Sequence, residues 1–138
     1  MGGSGLARVA RTQTVKYLLD SNIIIAAITA ASTALHDRLA MCDEDDLVTS
    51  AIAYAEVAHG SLQGKPPPLE IVDMFLEDIP VLPFDGAAAR TYATLPFVRA
   101  SYDRLIAAHA LSAELTMVSR NLRRFADVPG LRAENWFE

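Results

Sequence analysis

The stretch Tyr17-Leu18-Leu19-Asp20-Ser21-Asn22-Ile23-Ile24-Ile25 decides how the rest of the chain is read. Val15 to Leu19 is a short, nearly unbroken apolar run, which predicts a strand buried on both faces. Asn22 to about Ala30 is apolar again and predicts a helix that starts almost at once. A single carboxylate, Asp20, stands between the two. A charge held between apolar segments is costly unless a partner or a metal neutralises it. In open α/β sheets, the carboxyl end of a strand is also where ligands collect. Asp20 is therefore the first candidate functional residue.

Working outward, short apolar runs alternate with helical patterns. Thr33 to Met41 predicts a second helix, with Leu35 and Leu39 at i, i+4. Leu47 to Thr49 predicts a strand, and Ser50 is a suitable N-cap for a helix from Ala51 to His59, ended by Gly60 at C′. Lys65-Pro66-Pro67-Pro68 cannot continue a helix. Leu69 to Glu77 predicts a helix with Ile71, Val72, Met74 and Phe75 as its apolar stripe. Ile79 to Phe84 reads as an irregular or edge strand, since Pro80 and Pro83 each remove a ladder donor. Asp85 caps a helix from Gly86 to about Leu95. Ser101 to Ala113 is the next helix, Leu115 to Ser119 the next strand, and a short strand ends near Trp136. This alternation predicts an α/β fold of three layers (α/β/α) around a short, mostly parallel central sheet.

The chain has 138 residues, 51% of them apolar, with a net charge of −5. These values suit one compact domain over residues 15–138, preceded by a Gly-rich leader at 1–14. A single cysteine, Cys42, excludes an internal disulfide and a Cys-based zinc site. No apolar run is long enough to span a membrane and no signal-peptide core is present, so the expected location is cytoplasmic. The negative charge argues against broad affinity for nucleic acid, which draws on phosphate neutralisation. It leaves room for a local basic rim at Arg120, Arg123 and Arg124. The run Asp43-Glu44-Asp45-Asp46 lacks the spacing of a calcium loop and reads as a solvated turn.

Two more acids resemble Asp20 in setting. Glu56 lies in Ala51-Ile52-Ala53-Tyr54-Ala55-Glu56-Val57-Ala58-His59, a helix apolar nearly all round and so expected to be an inner one. Alone, Glu56 is equally well explained by an Arg partner or by reaching to the edge. Asp103 opens the apolar helix Asp103-Arg104-Leu105-Ile106-Ala107-Ala108-His109, where an acid also suits the helix dipole. Together the three say more. Carboxylates about 4 Å apart repel by roughly 4 kcal/mol per pair at an effective dielectric near 20, which a divalent cation would relieve. All-oxygen ligation suits Mg²⁺ or Mn²⁺ and phosphate chemistry. Ser119 and Asn121, at the end of a later strand, can add a hydroxyl and an amide oxygen.

In this order, the segments Leu18–Asn22, Ser50–Gly60, Phe84-Asp85, Tyr102–Ala110, Val118–Phe125, Val128–Leu131 and Glu134–Trp136 resemble the PIN-domain nucleases, and among them the VapC toxins of type II toxin–antitoxin systems. The resemblance covers about residues 16 to 137. It implies a Mg²⁺- or Mn²⁺-dependent endoribonuclease in which Asp20, Glu56 and Asp103 bind metal, and a water activated by the metal attacks an RNA phosphodiester, in tRNA or ribosomal RNA. It also implies a homodimer and a VapB-type antitoxin whose C-terminal segment enters the acidic groove, for which a basic side chain is expected. Asn22, Ser119, Arg120, Asn121 and Arg124 are the supporting or substrate-binding residues. Two departures stand out. The fourth acid usual around position 121 or 124 is replaced by Asn121 and Arg124, and the segment from Thr94 to Tyr102 is short. The second favours an altered groove; the first weakens a second metal site and offers a charge to RNA phosphate.

Other readings fit less well. A dehalogenase-type phosphatase needs an Asp where Asn22 stands, and a phospho-receiver needs an acidic pair and a late lysine that are missing. Glu56-x-x-His59 has no second copy to complete a di-iron site. His36 lacks a metal-ligand partner at useful spacing, and His109 reads as a satisfied helix histidine. The alternative from another class is a catalytically weak PIN-like domain that binds RNA or protein without cutting.

Overall fold

The computed structural model describes residues 16–96 and 101–137. The proposed leader at 1–14, and the part of the short segment at 97–100, lie outside the described residues. Strands β1 (Tyr17–Leu19), β2 (Leu47–Ser50), β3 (Val81–Leu82), β4 (Thr116–Val118) and β5 (Ala133–Glu134) form one sheet in the order β3-β2-β1-β4-β5. Every pairing is parallel. The six α-helices among the described residues are α1 (Ser21–Thr29), α2 (Thr33–Ala40), α3 (Ala51–Leu62), α4 (Leu69–Phe75), α5 (Gly86–Thr94) and α6 (Tyr102–Ser112). The predicted α/β class and parallel sheet are what the structure has.

Side chains alternate across β1 and β4 as the period of two requires. Leu19 and Val118 pack with Ile23, Ile24, Leu35, Val72 and Trp136 on one face. Leu18, Val48 and Met117 pack with Ile106, Ala107, Ala110 and Phe125 on the other. Burying each large aliphatic side chain contributes about 1.5–3 kcal/mol, so the two clusters, not the short ladders, hold the sheet. Trp136 locks the last segment down, with the Tyr17 ring edge-on at 4.8 Å and the Arg38 guanidinium 4.7 Å from its centre.

The caps predicted at Ser50 and Asp85 are present. Ser50 Oγ accepts from the Ile52 N–H at 3.0 Å, and Asp85 Oδ1 from the Ala88 N–H at 2.9 Å. Gly60 does not end its helix. The α3 helix continues to Leu62, and Gly64, at φ +92°, takes the left-handed position instead. The Lys65 N–H bonds Gly60 O at 2.9 Å and the Gly64 N–H bonds Ser61 O at 3.1 Å. This paired closure satisfies the last carbonyls, so Gly60 is tolerated one turn inside. Nor is α3 an inner helix. Only Ala53 and Val57 are buried in it, while Ala55 and His59 are exposed, because alanine supplies apolarity without demanding burial. The stripe on α4 is likewise split. Val72 is buried, but Ile71 and Met74 are 41% and 62% exposed.

Candidate active site

The sheet order reverses between β1 and β4: the chain after β1 builds outward through β2 and β3 on one side, and the chain after β4 adds β5 on the other. At such a switch point the carboxyl ends of the two strands open a crevice. Asp20 ends β1 there and Ser119 follows β4. The Asp20 N–H continues the ladder to Val118 O at 2.9 Å, and Thr49 Oγ1 holds Leu19 O at 2.7 Å. The backbone under Asp20 is thus pinned from both neighbouring strands.

The Asp20 side chain is 1% exposed. Its Oδ1 accepts from the Ser21 N–H at 2.8 Å, which makes it the N-cap of α1, and its Oδ2 accepts from Ser119 Oγ at 2.8 Å. Burial raises the carboxyl from its ordinary 3.8 to about 6; the bonds from Ser119 and Ser21 oppose that rise, and the charges of Asp103 and Glu56 add to it. Hydrogen bonds alone therefore do not compensate the charge.

Glu56 reaches the same place from α3 through Ser21. The Ser21 hydroxyl donates to Glu56 Oε1 at 2.7 Å. Asp103, in the first turn of α6, accepts from Arg124 Nη1 at 3.1 Å. Glu56 and Asp103 are part-buried, less enclosed than Asp20. Among the described residues, no three Asp, Glu, His or Cys side chains stand close enough to hold a single ion as they are placed. The donor chemistry nonetheless fits a hard divalent cation. It is all oxygen, its deepest acid is destabilised by burial and by two like charges, and a guanidinium already sits as counter-ion on Asp103.

The supporting residues divide. Ser119 joins the cluster directly. Asn22 Oδ1 accepts from the Arg120 N–H at 3.2 Å, tying the start of α1 to the loop after β4. The Arg120 guanidinium stacks on Phe137 at 4.8 Å, so its charge is held toward the C-terminal segment. Asn121 is exposed, and its N–H bonds Ser119 Oγ at 3.4 Å; no contact carries its amide oxygen to Asp20, because the 3₁₀ turn Leu122–Phe125 starts at once and leaves it on the rim. Two participants were not singled out from the sequence. Ser21 directly follows the acid at a helix start, a position whose side chain can reach a neighbouring helix. Arg104 is 8% exposed and donates to Asp127, a pairing no local pattern reveals. His36 and His59 are exposed. His109 is the satisfied helix histidine expected, its Nδ1 2.7 Å from Ser50 Oγ, with burial lowering its pKa from the ordinary 6.5.

A parallel α/β domain with a buried acid at its switch point and two more acids beside it is a class of protein suited to cation-assisted phosphate chemistry. The model of the PIN domain family matches residues 17–131. The tRNA(fMet)-specific endonuclease VapC of Shigella flexneri is 30% identical over 131 residues, which cover 88% of this chain and 98% of that protein. Ribonuclease VapC2 of Haemophilus influenzae shows the same identity over the same shares. The crystal structure of VapBC2 from Rickettsia felis, bound to a DNA fragment from their promoter, superposes with a TM-score of 0.78 at 26% identity, covering 87% of this chain and 98% of that one. The chain belongs to the PIN-domain family, and within it to the VapC proteins.

Proposed function

We propose that this chain is the toxin of a type II toxin–antitoxin pair, an endoribonuclease that needs Mg²⁺ or Mn²⁺ and cuts tRNA or ribosomal RNA. The observation that carries the reading is the buried Asp20 carboxyl, raised to about 6, with Glu56 and Asp103 as the like charges beside it. Asp20, Glu56 and Asp103 would hold the ion, which when bound supplies a polarised water and charge stabilisation for phosphodiester hydrolysis. Ser119 and the Ser21 N–H fix both oxygens of Asp20, and the Ser21 hydroxyl orients Glu56. Ser119, Asn22 and Asn121 shape the floor and rim of the crevice, Arg124 supplies positive charge at its edge, and Arg120, stacked on Phe137, would turn toward RNA only by leaving that ring. The relatives support the substrate class, since they are named ribonucleases and one is named for tRNA(fMet).

The partner we propose is a VapB-type antitoxin, in keeping with the VapBC complexes that share this fold. It would place a basic side chain among the acids, and the toxin would act in the cytoplasm as a homodimer within that complex. A second reading, a weakly catalytic domain that binds without cutting, draws on the Arg124–Asp103 pair, which leaves one acid already neutralised. Induced expression decides between them. Growth arrest with new RNA 5′ ends, abolished by Asp20→Asn and in vitro by EDTA, supports the nuclease. An unchanged phenotype in Asp20→Asn, or RNA binding with no cleavage in Mn²⁺, supports the binder.

A further inference from the structure

Beside Asp103 lies a pocket of about 470 Å³, lined by Ser101, Arg104, Arg123, Arg124, Asp103 and Asp127 among others. Three guanidinium groups face two carboxylates in it, in a chain whose net charge is negative. Arg104 comes from the inner side of α6. It binds Asp127 through Nη2, while its Nη1 is buried and has no hydrogen-bond partner among the described residues. A buried charged donor left unpaired is costly, and here it belongs to a side chain that lines an open pocket. Arg123 makes no ion pair among the described residues, and Arg124 is spent on Asp103.

We infer that this pocket is a phosphate subsite, which holds a backbone phosphate of the RNA next to the one that is cut. The inference rests on the nuclease reading and deepens it. Asp103 belongs both to the acidic cluster and to the pocket wall, so the two sites share an edge. While Asp103 is free of a cation it retains Arg124. Once its charge is neutralised, Arg124 is released to join Arg123 and Arg104, and the pocket becomes more positive. Arg124 is thus a counter-ion shared between metal and substrate sites. Neutralising Asp103 and binding RNA favour each other through it, and by linkage the coupling is reciprocal.

The test needs no cleavage. A fluorescein-labelled single-stranded 20-nucleotide RNA is titrated with the full chain in EDTA over a KCl series, followed by anisotropy. Arg123→Gln should weaken binding by about three- to tenfold and flatten the salt slope by about 0.7, the loss of one phosphate contact on a single strand. Arg132→Gln, at the opposite end of β4, is the control for charge removal and should change neither by as much. Asp103→Asn should tighten binding, and most of that gain should vanish when Arg124→Gln is added, because the released guanidinium is then missing. Asp127→Asn should also tighten binding, by freeing Arg104. If Arg123→Gln matches Arg132→Gln, or Asp103→Asn gains as much without Arg124 as with it, the subsite is overturned while an RNA-cutting parent leaves the nuclease reading intact. A parent that neither binds nor cuts RNA overturns both.

Discussion

The hydroxyl of Ser21 donates to Glu56 across 2.7 Å, while the N–H of the same residue donates to Asp20. One serine therefore ties the acid of α3 to the acid that ends β1, though 35 residues separate Ser21 from Glu56.

Ser21→Ala should leave Asp20 capped but release Glu56. A charge-assisted hydrogen bond contributes about 1.5–3 kcal/mol, less where one partner can turn to water. Stability should fall by about 1 kcal/mol in urea denaturation. Single-turnover RNA cleavage should fall by about tenfold, and Ser21→Thr should restore much of it. Full cleavage by Ser21→Ala would remove the serine from any positioning role.

Asp20→Asn should abolish cleavage yet make the metal-free protein more stable at pH 7. The folded carboxyl titrates near 6 against 3.8 in the unfolded chain. Between these values the folded state keeps a proton that the unfolded state has lost, so stability falls as pH rises from about 4 to 6. Above that range the deficit is constant, about 3 kcal/mol at most. Urea denaturation in EDTA should show Asp20→Asn more stable by about 1–3 kcal/mol at pH 7, with the gap closing below pH 4. A gap independent of pH would contradict the shift.

Arg124→Gln should bind Mn²⁺ more tightly, because the ion no longer competes with a guanidinium for Asp103. An exposed pair contributes about 0.2–1 kcal/mol, so the gain should be about two- to fivefold by calorimetry. Equal or weaker Mn²⁺ binding would mean that Arg124 does not oppose the cation.

The two glycines around the end of α3 should respond with opposite signs. Gly60 lies inside the helix, where a Cβ would meet only the Lys65 side chain at 3.9 Å, so Gly60→Ala should stabilise by about 0.5–1 kcal/mol. Gly64 holds φ at +92°, and Gly64→Ala should destabilise by about 1–2 kcal/mol. Thermal midpoints of the two variants bracketing the parent would confirm the assignment; a loss at Gly60 would not fit it.

These glycines also show what the sequence makes legible. Features that depend on a few adjacent residues read correctly, such as the strand into Asp20 and the caps at Ser50 and Asp85. Gly60 misled because a glycine at a plausible helix end looks the same whether or not a second glycine follows four residues later. Burial on α3 and α4 is not legible from apolarity alone, because apolar residues need not be covered, as Ile71 and Met74 demonstrate. Within the candidate site, Asp20, Asp103 and Ser119 are legible as residues at strand ends and a helix start, and Glu56 as the one carboxylate inside an apolar helix. Their mutual contacts are not. The Arg124–Asp103 and Arg104–Asp127 pairs form only after α6 and the turn behind β4 are packed together, and no local spacing encodes that.

The place of β4 beside β1 has a consequence for synthesis. Asp20 and Ser119 are bonded although 99 positions apart, and β1 lacks one of its two neighbours until β4 arrives. A growing chain carries Asp20, Glu56 and Asp103 well before it carries the strand and hydroxyl that seat Asp20. The acids are thus present early and organised late. A ribosome making this protein would release a competent toxin only once the last quarter of the chain had been threaded into the middle of the sheet.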